Sequence, residues 1–261
     1  MTRSKKPYRS ELGWSTADKI VVRGMDLPGE ILGKLNLGDM AFLELTGRVP
    51  DAKQSKLFNA MVVTLVEHGI TPSALVARLT YLGAPEAMQA AVAAGLCGLG
   101  SVFVGSTEGC AKLLTEALPD PKAKADLDAL AQGIVDSHRA QKRSVPGIGH
   151  PVHKPIDPRT PRLFDIARET GYYGPYCELI QRVAAAAEKA SGRSLPVNAT
   201  GAIGALACEL GFDWRVCRGL GVMARAVGLV GHLLEETREP MAQELWLRAE
   251  EEASEHLRPK K

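Results

Sequence analysis

Apolar residues recur along this chain at the three- and four-residue spacing of a helix face, and capping signals mark where several of the runs begin. Asp39-Met-Ala-Phe-Leu-Glu-Leu45 sets its apolar residues on one face behind an Asp cap and stops at Thr46-Gly47-Arg48-Val49-Pro50. The pattern predicts further helices over 51–65, from Thr71-Pro72-Ser73 with Pro near the first turn, and from Ala84-Pro85-Glu86 towards Leu96. A glycine-rich stretch over 95–109 interrupts. Helices are then predicted over 126–138, 161–170 and 178–190, the last two parted by the turn Gly171-Tyr-Tyr-Gly-Pro175. Beyond the break at Asn198-Ala-Thr-Gly201, apolar helices occupy 202–210 and 216–234, and a charged helix over 240–256 lies at the surface. No internal repeat or low-complexity tract is visible, and the chain reads as mainly α.

Composition sharpens this reading. The 261 residues suffice for a large core in one domain or two, and aromatic residues make up only 5% while Ala, Leu, Gly and Val dominate. That balance favours helices packed closely through small residues over a β-sandwich. The formal charge of +2 is scattered, with no sustained basic face for nucleic acid, and a small acidic metabolite suits it better. Five Cys (97, 110, 177, 208, 217) lack CxxC or Cys/His ligand spacing and read as reduced core thiols of a cytoplasmic protein. The basic N-terminus leads into no apolar export segment, and no run is expected to be long enough to cross a bilayer.

The chemistry concentrates in Val145-Pro-Gly-Ile-Gly-His150-Pro-Val-His153-Lys154, followed by Asp157-Pro-Arg159. One Pro and two Gly let a backbone approach a ligand closely, and the His is followed by basic residues that suit an anion. On composition alone, an active-site loop and an ordinary Pro/Gly surface loop both remain open. VPGIGHPVHKPIDPR resembles the loop of the citrate synthase superfamily that holds a catalytic His, carries a substrate-carboxylate Arg and wraps the adenine of coenzyme A. Other segments match the same superfamily in chain order. Ile20-Val-Val-Arg23-Gly24-Met-Asp26 resembles its N-terminal hairpin, and Glu67-His68-Gly69 its His-bearing helix start near the substrate. Ala224-Arg225-Ala-Val-Gly228 resembles the helix with a second carboxylate-binding Arg, and Arg238-Glu-Pro240 the place of an Arg donated by the neighbouring subunit. The short length, GIGH and HLLEETREP are closest to citryl-CoA lyases, including the lyase module of ATP-citrate lyase.

The resemblance implies an all-α fold of the citrate synthase type, with a large helical domain (1–111 and 226–261), a smaller helical domain (112–225), and a homodimer. It makes His150 and His68 catalytic, with Thr200 at the position of a third catalytic group, and assigns Arg159, Arg225, Arg238, Ser101 and Ser106 to the substrate. Val145, Pro146, Gly147, Ile148, Gly149 and Lys154 fall to coenzyme A. The substrate implied is a coenzyme A thioester, the partners are an acyl-CoA and an oxo or hydroxy acid, and no metal, nucleic acid or membrane is called for. Plainer roles stand beside these. His68 also suits a helix C-terminal cap, Arg225 a structural ion pair, Arg159 a solvated loop, and His153 a phosphate contact or a solvated position. His232, seven residues beyond Arg225 and on the same face, faces either the core or a second subunit.

Two departures from the synthase pattern weigh on mechanism. Phe103, in Gly100-Ser-Val-Phe-Val-Gly-Ser106, stands where synthases keep the His that polarises the thioester carbonyl, as it also does in ATP-citrate lyase. Thr200, in Asn198-Ala-Thr-Gly201, stands where they keep the Asp that moves the methyl proton, and a hydroxyl is no base at ordinary pH. Condensation is therefore disfavoured. Cleavage of citryl-CoA to acetyl-CoA and oxaloacetate needs a base at the tertiary hydroxyl, which His150 is expected to supply, and tolerates the loss better. A lyase or synthase for another hydroxyacyl-CoA, and a thioester-binding protein without turnover, remain as alternatives.

Overall fold

Arg23 and Gly24 both have positive φ, 49° and 82°, the left-handed pair that a two-residue hairpin turn demands. They join β2 (Ile20–Val22) to β3 (Met25–Asp26), pairing Val22 with Met25, as the expected hairpin requires. A third antiparallel strand, β1 (Gly13–Ser15), was not anticipated, because three residues are too few to display an alternation. The computed structural model describes residues 7–150 and 153–258 and falls into two compact units, 1–59 and 60–261.

In the first unit the sheet is followed by α1 (Leu37–Thr46) and the start of α2 (Ala52–Val66). The α1 cap is Asn36, whose side chain accepts from the Asp39 N–H at 2.8 Å; Asp39, expected as the cap, sits in the first turn. Gly47 (φ 74°) ends the helix. Phe42 and Phe58 meet edge to face, 5.3 Å apart, and with Leu43 and Leu57 form this unit's core.

The second unit is all helix: α3 (Pro72–Gly83), α4 (Met88–Cys97), α5 (Gly105–Ala117), α6 (Leu127–Ala140), α7 (Arg159–Thr170), α8 (Pro175–Ser191), α9 (Ala199–Glu209), α10 (Cys217–Arg238) and α11 (Ala242–Ser254). The expected glycine-rich interruption over 95–109 is a short one: α4 ends at Cys97, the chain turns at 98–99 with a bend of 59°, and a π-helical turn, Gly100–Val104, leads into α5. Its glycines serve close packing. A Cβ on Gly95 would lie 2.8 Å from Leu229 Cδ1 and from the Ser73 carbonyl. Arg159, read as a loop residue, is the first residue of α7.

Helix α9 is buried on nearly every side and packs against α5, α7 and α8. Gly204 permits the approach to α5, since a Cβ there would lie 2.9 Å from the Thr107 carbonyl oxygen. Truncating Ile203 or Leu206, both fully buried, to Ala would cost about 2–5 kcal/mol. Small residues, as the composition implied, set the spacing. Ala74, Ala77, Ala91, Leu229 and Leu233 form a second cluster where α3, α4 and α10 meet.

A charged seam lies beside that cluster. Arg78, wholly buried on α3, donates to Glu236 Oε2 (2.6 Å), to Glu235 and to His232 Nδ1 (3.0 Å) on α10. Arg78 has no acceptor to offer, so the neutral His232 ring carries its proton on Nε2 and donates it to Glu67, 3.1 Å away. His232 thus faces the core rather than solvent. The segment Trp214–Arg238 has the length and mean hydropathy (1.2) of a membrane span, contrary to the expectation that no run is long enough; half of it is buried within the chain. The five cysteines are free thiols, and all but Cys97 are buried.

Candidate active site

A cleft of about 1440 Å³ opens in the second unit, lined by the α2–α3 connection, the 100–106 turn, α5, α6, the loop 143–150 and the starts of α7 and α9. It gathers His68, Ser101, Ser106, the backbone of 145–149, His150, Arg159, Thr200 and Arg225, which are scattered over more than half the sequence. Arg238 and Lys154 do not line it.

The loop ahead of His150 is held along its backbone. Ile148 bridges Val197, Gly149 N–H donates to Pro196 O (2.7 Å), and Asn198 N–H donates to Gly147 O (3.0 Å). Asn198 then adds its side chain: Nδ2 donates to Gly149 O (2.7 Å), while Oδ1 caps α9 by accepting from Gly201 N–H (3.0 Å). One residue thereby ties the loop to the buried helix. Gly147 (φ 88°) lies against Gly201 and Cys110 with no space for a side chain.

Thr200 sits in the same network. Its hydroxyl donates to Asn198 Oδ1 (2.7 Å) and lies 2.8 Å from the Ser106 hydroxyl. The Thr200 proton is directed at an amide oxygen, which cannot take it up, so nothing in this chain of groups supplies a base.

The imidazoles cluster on the opposite side. His153 N–H donates to His150 Nδ1 (2.9 Å), and the two rings stack with centroids 4.4 Å apart. Because Nδ1 accepts, the neutral His150 ring carries its proton on Nε2. In this arrangement the ring expected to act as a base is a hydrogen-bond donor at Nε2. His68 Nε2 lies 3.1 Å from His153 Nε2. Burial pushes the pKa of both His68 and His150 below the ordinary value, helped by His153 and Arg159 and only partly opposed by Asp157. Ring nitrogens of the three histidines come within 4.8 Å of one another, the spacing of a potential metal site, but a metal on His150 Nε2 would first have to displace its proton.

Two arginines supply positive charge. Asp157, with no exposed surface, takes a forked contact from Arg159 (Nε 2.9 Å, Nη2 2.8 Å) and the Ala199 N–H (2.9 Å). Burial would raise the Asp157 pKa, but those bonds outweigh it and hold the carboxyl at about 2. Arg159 is thus oriented rather than solvated, and spends two of the guanidinium's five N–H groups on Asp157. Arg225 is 7% exposed, and its Nη1 is buried without a hydrogen-bond partner, 3.7 Å from Glu67 Oε2. Glu67 also accepts the His68 and Gly69 N–H groups. Burial raises its pKa, yet these N–H groups, His232 and Arg225 keep it below the ordinary value.

Glu67, Asn198 and Asp157 had no assigned role in the sequence reading, and His153, read as a phosphate contact or a solvated position, instead meets His68 and His150. Asn198 had a visible signal, an Asn three residues ahead of Gly201 at the start of an apolar run. Glu67 had none, because its partners Arg225 and His232 come from a helix far along the chain. Glu108 lies in the first turn of α5 and pairs with Arg218 at 2.8 Å. Phe103 and Val102 are exposed on the cleft wall.

The family described as citrate synthase, C-terminal domain, matches residues 34–248. Among solved structures, the chain is similar to citryl-CoA lyase from Hydrogenobacter thermophilus, at 33% identity over 88% of this chain and 87% of that one, with a TM-score of 0.79. Citrate synthase from Thermotoga maritima shares the fold at 21% identity and a TM-score of 0.64, over 78% of this chain and 55% of that one. The probable ATP-citrate synthase subunit 1 of Neurospora crassa is 24% identical over 255 residues, 91% of this chain but only 37% of that protein's length. The all-α architecture with its minor sheet, the family match across most of the chain and the likeness to a lyase of the same length agree: the chain belongs to the citrate synthase family, in its short, citryl-CoA lyase-like branch.

Proposed function

We propose that this chain is a carbon–carbon lyase acting on a coenzyme A thioester, cleaving citryl-CoA to acetyl-CoA and oxaloacetate. The observation that carries the reading is Arg225: a buried guanidinium nitrogen without a hydrogen-bond partner, in a cleft with Arg159 and two histidines, calls for an anionic ligand. The lyase from Hydrogenobacter thermophilus, similar over nearly its whole length, supports the choice of substrate. Arg225 and Arg159 would hold carboxylates of the citryl head, and the backbone of 145–149 would receive the coenzyme. His150 would donate its Nε2–H to the oxygen that is a hydroxyl in the substrate and a carbonyl in the product, stabilising charge as it develops there.

Thr200 favours a second reading. With no carboxylate at that position, the chain would act on a different hydroxyacyl-CoA, or bind thioesters without turnover. Release of acetyl-CoA from citryl-CoA, measured beside a panel of related thioesters, separates these. Binding without release from any of them would leave the binding protein.

The rest of the reading is a working arrangement of the same proposal. Residues 112–225 would form a small helical domain and 1–111 with 226–261 a large one, and two chains would pair in a cytoplasmic homodimer, bringing Arg238 to the partner's cleft. Light scattering tests the pairing: a monomer with full ligand affinity would contradict it.

A further inference from the structure

His68 and His153 are the members of the histidine cluster that the proposed function leaves without a task. The Nε2 of His153 lies 3.1 Å from His68 Nε2, a hydrogen-bond distance at which one ring donates and the other accepts. The His153 backbone N–H meanwhile fixes His150. We propose that the hydrogen-bonded pair His68–His153 is the base that takes the proton of the substrate's tertiary hydroxyl and returns it to the acyl carbon, His68 facing the substrate and His153 positioning and tuning it. This rests on the lyase reading.

The neighbouring groups favour the pair. His150 presents a donor. Thr200 points its proton at Asn198, and Asp157 is committed to Arg159 and the Ala199 N–H. Glu67 is engaged by two backbone N–H groups, His232 and Arg225, and Glu108 by Arg218. Among these groups a lone pair of the His68–His153 imidazoles is then the base beside His150 that no charged or backbone partner has taken up. His68 has its ring centroid 6.0 Å from that of His150, near enough for both to address one substrate oxygen. Among the described residues, the charged and titratable groups around His68 are Glu67 beside it, Arg159 and Asp157 at the start of α7, Arg225 on α10, and His150 and His153 on the loop. Burial, with Arg159 and Arg225, lowers the His68 pKa, which leaves that ring neutral and ready to accept.

The step balances. The hydroxyl proton passes to the pair and the oxygen's electrons form the ketone carbonyl. The bond between carbinol and acyl carbons breaks, and its electron pair remains as the thioester enolate. The pair then delivers the same proton to that carbon, leaving acetyl-CoA and oxaloacetate with no net proton gained or lost.

His153→Gln tests this, because it keeps the backbone donor to His150 and removes only the titrating ring. Citryl-CoA turnover is expected to fall by roughly a hundredfold with KM changed less than about threefold. The acid limb of the pH profile should move up, since the His153 imidazole, which helps to lower the His68 pKa, is gone. In His153→Ala, added imidazole should restore part of the rate, which a purely structural role would not allow. Wild-type turnover with an unmoved acid limb in both variants would overturn the proposal. Nitrogen NMR of the ligand-free protein reads the pair separately: a proton hydrogen-bonded between His68 Nε2 and His153 Nε2 is expected, and its loss in His153→Gln. Its absence from the unaltered protein overturns the pair whatever the substrate, whereas its presence in a protein that cleaves no thioester overturns the lyase reading and, with it, the catalytic task assigned to the pair.

Discussion

The carbonyl oxygen of Gly147 lies 2.1 Å from where a Cβ on Gly201 would stand, so the loop ahead of His150 rests directly on the first turn of α9. No side chain fits between them. Loop and helix therefore form one rigid seat, with Asn198 as its clasp.

Gly201→Ala should force the loop off the helix. A methyl at that distance from backbone cannot be relieved by a rotamer change, and a loss of roughly 1–3 kcal/mol is expected together with at least a tenfold loss of coenzyme A affinity. Gly219→Ala on α10 has nothing within 4 Å of the new methyl and should be neutral or stabilising. Melting temperature and calorimetric titration with coenzyme A compare the two. Equal behaviour would refute the seat.

Arg225→Ala removes the buried cation and leaves Glu67 with one fewer positive neighbour. Affinity for the acid portion of the substrate should drop by roughly two orders of magnitude, while coenzyme A alone binds nearly as before. Arg225→Lys should recover little, because a point charge replaces a planar fork. Unchanged binding of citrate or oxaloacetate would show that the carboxylates sit elsewhere.

Asp157 predicts an acid-sensitive site. Its carboxyl is held at about 2 in the folded chain, below its ordinary value of 3.8, so the stability it contributes is complete above about pH 4 and lost as pH falls through about 2. Asp157→Asn should remove that part of the acid sensitivity and lower the neutral-pH melting temperature, since Arg159 and the Ala199 N–H lose a charged acceptor. Melting curves between pH 2 and 7 for both proteins report it. Parallel curves would mean that Asp157 does not couple to folding.

Thr200→Asp restores a carboxylate beside the Ser106 hydroxyl. Deuterium exchange into acetyl-CoA should rise, and some condensation with oxaloacetate should appear, because the methyl proton then has a base within reach. Mass spectrometry of the recovered thioester measures this directly. Exchange in the unaltered protein as fast as in an Asp-bearing citrate synthase would reveal another base and undo the case against condensation.

Local spacing was enough for the helices and for the loop motif. The Asp126 cap, Pro at the start of α3 and the left-handed Arg23-Gly24 turn act within a few residues, so their physics is written in neighbouring positions. Where glycine was read as a breaker, over 95–109, the local rule found the bend after Cys97 but not the helix that resumes at Gly100. Those positions serve contacts with residues such as Leu229 that no window along the chain contains. The motif named His68, His150, Arg159 and Arg225, but their states depend on partners distant in sequence. His68 meets His153 from 85 positions away, and Arg78 reaches Glu236 across 158. The His150 tautomer shows the difference most sharply: the sequence identifies the imidazole, but only the folded backbone, by aiming the His153 N–H at Nδ1, decides that its proton lies on Nε2 and that the ring offers a hydrogen bond rather than a base.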